Sequence, residues 1–539
     1  MRDLEIPLGK RSKKYRFFEI LPAALSYLLV VAPFVLSAVA PIFGVAYLLI
    51  LVTTLLVKAL GVAVRTSQGY GVLKSATKVD WRRRLMDVEE AANGVAKTRV
   101  AGGYGVEAHL ENLDKIVAQP KNYPRPSEVC HAIIIPSYNE TYETLVGTIE
   151  AIKKTTYDKK RVYFVLSYEE RGDREVEKKV AERLKKKFGK VFKEFFVFEH
   201  PDGLPDEVVG KGANTTFAGR ELAKILKEKG VDLSKIIVTS MDSDNKMSEC
   251  YLDYVAYEFV VNTDRKRLAF QPISLFMNNI WDVPAPMRII ATGNSFWNII
   301  CSMRPHALRN FAAHSQPLDA LSEMDFWSKR TIVEDGHQYW RSLFHFKGDY
   351  RVLPIFAPIY QDAVLSDTLI KTLKAQFIQL RRWDYGASDV AYVGDRLFAS
   401  KKRRGMKFFK LFPKFVRLLD GHVTLAAMAP MIAISGWIPF IVNHSSKSMI
   451  VYNFPNIIGT MQLVASVGLF VTILFSMKML PPRPAKYKKH KSILMVAQWI
   501  LMPVVSIFYN SFTAFYSQTR LMMGRYMERF DVTEKVVKK

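Results

Sequence analysis

No charged side chain occurs between Ile20 and Val57. A helix crossing a bilayer needs about 20 apolar residues, so this run has room for two helices folded back on each other. Pro33 and Pro41 lie near its middle, where a reversal is expected. Lys10, Arg11, Lys13, Lys14 and Arg16 precede the run and Lys58 and Arg65 follow it, which places both of its ends on the cytoplasmic side. A cleaved secretory signal ending at Ala38-Val39-Ala40 competes with this reading, but the apolar run continues for a second span's length beyond it. Three more uncharged stretches come late in the chain: Gly421–Ser446, Ser448–Met477 and Ser492–Thr519. The loop Ser445–Met449 between the first two is short, and PPRPAKYKKHKS between the last two is basic and expected on the cytoplasmic face. Three spans would carry the basic tail beyond Arg520 across the membrane, against its charge. Ser492–Thr519, interrupted by Pro503, therefore reads either as a span or as a re-entrant or short hairpin segment.

The long middle, Arg65 to Asp420, has no spanning run and reads as a soluble region at the cytoplasmic face. With 49% hydrophobic residues in 539, a disordered chain is excluded. A net charge of +26 points to nucleic acid or to an anionic membrane surface. The membrane-length runs favour the lipid bilayer as partner, and nucleic acid is not expected. Cys130, Cys250 and Cys301 stand at no metal-ligand spacing, which argues against a disulfide framework and structural zinc. Lys401–Asp420 mixes basic and apolar residues and reads as an interfacial helix.

Within the middle, apolar runs of strand length alternate with helical periodicity. Ala132–Ile135, Val162–Ser167, Phe195–Phe198 and Lys235–Met241 read as strands; Tyr142–Lys154, Arg174–Phe188 and Asn214–Lys227 read as helices. This alternation implies a mostly parallel sheet with helices on both faces, and ligands then bind beyond the carboxyl ends of the strands. Three strand ends carry polar motifs there: PSYNE (Pro136–Glu140), YEERGD (Tyr168–Asp173) and DSDNK (Asp242–Lys246). Any one of them alone could be a cap or a turn. Together they point to a site.

Asp242 and Asp244, one residue apart, suit a hard divalent cation, Mg²⁺ or Mn²⁺, which keeps positions for water and substrate phosphates. In TIVEDGHQYW the pair Glu334-Asp335 offers a general base and a neighbour that positions it, while His337 reads as a packing residue. An apolar stripe of Leu365, Leu369, Leu373, Phe377 and Leu380 precedes QLRRW, and at 100° per residue Gln379, Arg382 and Trp383 cluster away from it. Arginine suits a diphosphate, and an indole face suits a sugar ring.

The ordered set PSYNE, a strand-end acidic pair, DSD, ED and QLRRW resembles the membrane-embedded family 2 glycosyltransferases, which include cellulose, chitin and hyaluronan synthases. That resemblance implies a GT-A-like α/β cytosolic domain flanked by transmembrane and interfacial helices. It implies that Pro136, Tyr138 and Glu140 lie at the nucleotide's base or ribose, and that Glu169 or Glu170 replaces the family's Asp facing uracil. Lys211 and Asn214 would adjoin the donor phosphates; Asp242 and Asp244 would hold the metal, Asp244 being the better ligand. Gln271 and Pro272 resemble an acceptor-side segment that here lacks its middle Thr; Asp335 matches the base, and Gln379, Arg382 and Trp383 the acceptor end. The implied activity is inverting transfer from a nucleotide-sugar, UDP-linked by analogy, to a growing polysaccharide at the plasma membrane. Single addition to a lipid or polyprenyl acceptor is the alternative, and a non-enzymatic nucleotide sensor the next. The expected layout is a basic cytoplasmic segment (1–18), a transmembrane hairpin (19–64), a cytoplasmic connection (65–130), the transferase domain (131–362), interfacial helices including QLRRW (363–420), three to four membrane helices (421–519) and a cytoplasmic tail (520–539).

Overall fold

The computed structural model describes residues 4–94, 102–443 and 449–529. The chain opens with two long helices, α1 (Lys13–Val39) and α2 (Pro41–Ala76), separated by Ala40 alone. Ala40 leaves the helical region at φ −144°, and Pro41 begins α2 at a position where its missing N–H is no loss. Pro33 lies inside α1, so the reversal belongs to Pro41. The hairpin is longer than expected: α2 continues past residue 64 because its second half packs on the soluble domain, with Gly69 against Ile299.

Next come α3 (Trp81–Ala92) and α4 (Val106–Ala118). Trp81 stacks on Tyr254 at 3.5 Å, fastening this connection to the domain that follows. The domain reads β1 (Cys130–Ser137), α5 (Tyr142–Lys154), β2 (Val162–Glu169), α6 (Arg174–Phe188), β3 (Glu194–His200), α7 (Lys211–Glu228), β4 (Ile236–Ser240), β5 (Lys246–Met247), α8 (Tyr251–Val261), β6 (Leu268–Leu275), α9 (Ala285–Ser302), β7 (His314–Pro317), α10 (Leu318–Glu323), α11 (Glu334–His345) and β8 (Arg351–Tyr360). The alternation expected over residues 132–241 is present. Its side chains divide as period-2 strands require: Ile133, Ile135, Phe164 and Leu166 pack under α5, α6 and α8, whereas Ala132, Ile134, Tyr163 and Val165 pack under α7 and α10.

The sheet order is β3-β2-β1-β4-β7-β6-β8-β5. The sheet is mixed yet mostly parallel, as expected, and β6 pairs with β8 in parallel. β1 to β4 pair in parallel, but β7 runs antiparallel to both β4 and β6, and β5 runs antiparallel to β8. The reversal enters where the crossover pattern ends, through a strand of sequence His-Ser-Gln-Pro that carries no apolar run.

Beyond the sheet lie α12 (Leu369–Asp384), α13 (Ser388–Leu397), α14 (Phe408–Ile434), α15 (Ile438–Val442), α16 (Met449–Met479) and a last helix (His490–Met522). Five helices among the described residues are long and apolar enough to cross a membrane: α1, α2, α14, α16 and the last. Within 363–420, the single helix expected over Lys401–Asp420 is corrected. α13 is buried throughout, and Lys401–Asp420 is not one helix. Arg404 and Gly405 take left-handed conformations (φ 51° and 86°), and Phe408 then starts the membrane-length α14.

The last helix packs on the soluble domain near its start and on α12, α14 and α1 further along: Ser511 donates to the Leu425 carbonyl (3.5 Å) and Gln518 to the His422 carbonyl (2.9 Å). Met495 and Trp499 belong to the domain core, and Gln498 accepts from Arg288. Tyr509 donates to the Leu373 carbonyl (3.3 Å), Ser517 to the Arg381 carbonyl (2.6 Å), and Arg16 donates to the Leu521 carbonyl (2.8 Å). The Ser445–Met449 loop, apart from Met449, and the tail beyond Arg529 lie outside the described residues.

Candidate active site

The loops that leave β1, β2 and β4 are locked to one another. Asn139, left-handed at φ 55°, donates its N–H to Glu177 (2.7 Å), and the Ser137 hydroxyl donates to the same oxygen (3.1 Å). Asn139 in turn accepts from the Asp173 N–H (2.7 Å), joining the first loop to the second. Ser243 donates to Glu140 (2.6 Å), joining the first to the third. Pro136 lies within β1, paired with Ser167. Tyr138 carries the Arg171 guanidinium 4.3 Å from its ring centre, and the same Arg171 pairs with Glu169 (3.0 Å). Glu177 has lost its water to burial, which pushes its pKa up to about 7.

Of the two carboxylates after β2, Glu169 is buried and bonded to His200 (3.1 Å), while Glu170 sits nearer solvent and accepts from the Asp202 N–H. His200 is held between Glu169 and Glu207, both at 3.1 Å. Burial opposes its charge, but the two carboxylates outweigh burial and push its pKa up to about 9.

The centre of the site is Lys211, the first residue of α7. Its ammonium donates to Asp242 (2.6 Å) and stands 4.0 Å from Glu334. Burial opposes the charge, yet Asp242, Glu334 and Asp335 hold the lysine above its ordinary range. Glu334, buried, and Asp335, half-buried, begin α11 side by side. Burial and then Asp335 raise Glu334; burial raises Asp335, against the charges of Lys211 and Arg382. Gly212 makes this approach possible, since a Cβ there would lie 2.5 Å from the Ser328 carbonyl oxygen and 2.8 Å from the Glu334 Cβ. Asn214 is buried one turn further along α7 and donates to the Ser167 carbonyl (3.1 Å).

Asp244 is buried and accepts from the Asp362 N–H (3.1 Å), and its carbonyl accepts from Asn278 (3.2 Å). Phe276, two residues earlier, packs on Trp383 at 5.8 Å. Trp383 is 36% exposed, so part of its ring remains open. Arg382 acts on Asp335 through its charge, and Gln379 is buried, accepting from Gln376 (3.1 Å). Asp242, Glu334 and Asp335 therefore gather around Lys211, with the Arg382 charge acting on Asp335, while Asp244 and Trp383 each contact the Phe276–Asn278 segment. Gln271 stands apart as a brace: fully buried, it accepts from the Phe311 N–H (2.8 Å) and donates to the Ala313 carbonyl (2.9 Å). His337 is a packing residue, bonded to Asp389 and edge-on to Tyr392.

Sequence reasoning missed Glu177, Arg171 and His200. Glu177 looked like one more charge on a solvated helix, and His200 closed a strand with no motif around it. Arg171 lay inside YEERGD, where its carboxylate neighbours drew the attention.

The donor set fits a hard divalent cation. Asp242 and Asp244 present only oxygen, and among the described residues no group of three His, Cys, Asp or Glu side chains forms a closed cage. Such a pair leaves coordination positions for substrate oxygens, as Mg²⁺ and Mn²⁺ require.

No protein-family model and no curated protein sequence matches this chain. Among solved structures it is similar to the mannosyltransferase PcManGT from Pyrobaculum calidifontis in complex with GDP-Man and Mn²⁺ (13% identity, TM-score 0.39, covering 78% of this chain and 99% of that one). It is also similar to S. aureus TarS 1-349 in complex with UDP-GlcNAc (10%, TM-score 0.35, 74% and 93%) and to GalNAc-T7 with UDP, GalNAc and Mn²⁺ (11%, TM-score 0.34, 55% and 59%).

Proposed function

We propose that the protein is an inverting, nucleotide-sugar-dependent glycosyltransferase whose site faces the cytoplasmic side of a multi-pass plasma-membrane protein. The observation that carries this reading is the convergence of Lys211, Asp242, Glu334, Asp335 and Arg382 beyond the carboxyl ends of a sheet. Tyr138, Glu140 and the Arg171 guanidinium would receive the base and ribose. Lys211 and the N-terminus of α7 would receive the diphosphate, where aligned N–H groups favour an anion. A divalent cation bound by Asp242 and Asp244 would supply charge neutralisation for the departing nucleoside diphosphate.

The chain's own residues account for the rest. Asp335 takes the proton of the acceptor hydroxyl while the acceptor oxygen forms its bond to the anomeric carbon. The bond from that carbon to the donor phosphate breaks, and the leaving nucleotide is met by Lys211 and Arg382. Burial and the neighbouring Asp335 push the Glu334 carboxyl up to about 8, so the adjacent pair gives up its second proton less readily than two free carboxyls would. Trp383 offers its open face to the acceptor sugar.

Incubating the detergent-purified protein with UDP- and GDP-sugars and Mn²⁺ tests the reading. Release of nucleotide with at least one donor, abolished by Asp335→Asn, is the expected result. Donor binding without turnover would turn the reading to a nucleotide sensor. Product size on a gel separates a polymerising enzyme, which yields a ladder, from one that adds a single sugar.

A further inference from the structure

The end of the described chain closes a second cavity, of about 180 Å³, whose lining includes Arg381, Tyr516, Arg520, Tyr526, Glu528 and Arg529. Arg381, Arg520 and Arg529 line it against the single carboxylate of Glu528, a net positive lining, and Arg520 also donates to the Tyr516 hydroxyl (3.2 Å) and the Tyr526 carbonyl (3.4 Å). Its walls come from the chain's return after the last helix. Gly524 turns in the left-handed region (φ 72°), Arg520 donates to the Arg525 carbonyl (3.1 Å), and the Met527 N–H donates to the Tyr385 hydroxyl (3.2 Å).

This return places the cavity beside the carboxylate cluster. Arg529 bridges to Val209, two residues before Lys211. Met527 packs with Ile332 and Val333, which lead directly into Glu334 and Asp335. Arg381 precedes Arg382, whose charge acts on Asp335.

A separate feature ends at the same place. Phe508, Phe512 and Tyr516 follow one another four residues apart and are 54%, 48% and 36% exposed. They make an apolar row on the last helix, and the next position in the row is Arg520. An apolar track that runs into an arginine-lined cavity matches an amphiphile with an anionic head.

We propose that this cavity takes the phosphate head of a lipid-linked acceptor, with the lipid tail lying along Phe508, Phe512 and Tyr516. The inference rests on the sugar-transfer reading and narrows its acceptor. Planar guanidinium groups pair with phosphate oxygens through two N–H donors each, and a neutral glycan offers nothing to match three of them. A bulk phospholipid carries similar head chemistry, but the position beside Asp335 selects the acceptor.

Titrating the full-length protein in detergent with a polyprenyl monophosphate, the matching polyprenol and phosphatidic acid, followed by native mass spectrometry, tests this. The polyprenyl monophosphate is expected to bind about tenfold or more tightly than either of the others. Arg529→Gln should weaken it by about tenfold at an unchanged melting temperature, whereas Arg520→Gln, which also loses bonds to the Arg525 and Tyr526 carbonyls, should weaken it with a lowered melting temperature, and Arg520→Lys, lacking the planar fork, should recover only part of the affinity. Equal binding of polyprenol, equal binding of phosphatidic acid, or full affinity in both glutamine variants would overturn the assignment. Binding of nucleotide-sugar with Mn²⁺ is followed on the same sample. If it persists while phosphate is not discriminated, the cavity assignment alone is overturned. Phosphate discrimination without nucleotide-sugar binding overturns the transfer reading and the acceptor role with it.

Discussion

Lys211 stands where three carboxylates meet, and its charge decides how the Glu334–Asp335 pair titrates. A catalytic base must be deprotonated to act, and burial raises Asp335. The acid limb of kcat/KM against pH is therefore expected above the ordinary aspartate value of about 3.9. Lys211 lowers both carboxyls, so Lys211→Met should move the limb of the residual activity to still higher pH. A limb that stayed in place would show that the lysine does not govern the pair. Gly212 makes a different demand. A methyl group there meets backbone oxygen, so Gly212→Ala should cost about 1–3 kcal/mol in a denaturant titration and displace Glu334. His200 supplies a pH signature. Its folded pKa of about 9 lies above the ordinary 6.5, so its stabilising contribution is full below 6.5 and is lost as pH rises through 9. Stability measured across that window should decline, and His200→Gln should remove that part of the slope.

At the scale of elements, the apolar stripe of α12 divides: Leu369 is exposed, Leu380 is buried, and Gln379 faces the protein. The buried residues of the helix are Thr372, Gln376, Gln379, Leu380 and Asp384, while Leu369 and Ile370 are exposed. Leu365, counted in the apolar stripe, precedes the helix, which Thr368 caps. The partly buried Leu373 and Phe377 lie beside the last helix, where Tyr509 and Tyr516 meet them. The end of that last helix depends on α1. Arg16 donates to the carbonyls of Leu521 (2.8 Å) and Met522 (2.7 Å), groups that a helix terminus leaves without partners, and it pairs with the buried Glu19. Arg16→Ala should weaken this end by about 1–2 kcal/mol. Faster amide exchange confined to residues 519–527 is the expected readout; unchanged protection there would mean the helix end holds without the arginine.

For the molecule as a whole, the contacts of the last helix predict which parts of the chain share a side of a bilayer. Gln498 near its start is bonded to Arg288 of α9, and Arg529, seven residues past its end, bridges to Val209, so the expected arrangement has both flanks on the domain side and the Ala40 reversal opposite. Single cysteines at Lys489 and Arg525 should both react with an impermeant maleimide only when the domain side is open, and one at Ala40 only from the other side. Labelling of positions 489 and 525 from opposite sides would contradict the docked path.

Local periodicity made much of this legible. Runs such as Ala132–Ile135 and Val162–Ser167 can be satisfied only as buried strands, and Tyr142–Lys154 and Arg174–Phe188 appear with the bounds their spacing predicted. The motifs after β1, β2 and β4 follow from the same pattern, because a parallel strand's carboxyl end is where its loop emerges. What periodicity cannot carry is a pairing between residues far apart in the chain. β7 has no hydrophobic pattern and earns its place through hydrogen bonds to β4 and β6. Glu177 becomes an anchor only when α6 brings it under Asn139. The return of Arg529 to Val209, which builds the second cavity, joins positions more than half the chain apart. Sequence spacing reports which face a side chain occupies on its own element; the partner on the other element is settled by packing.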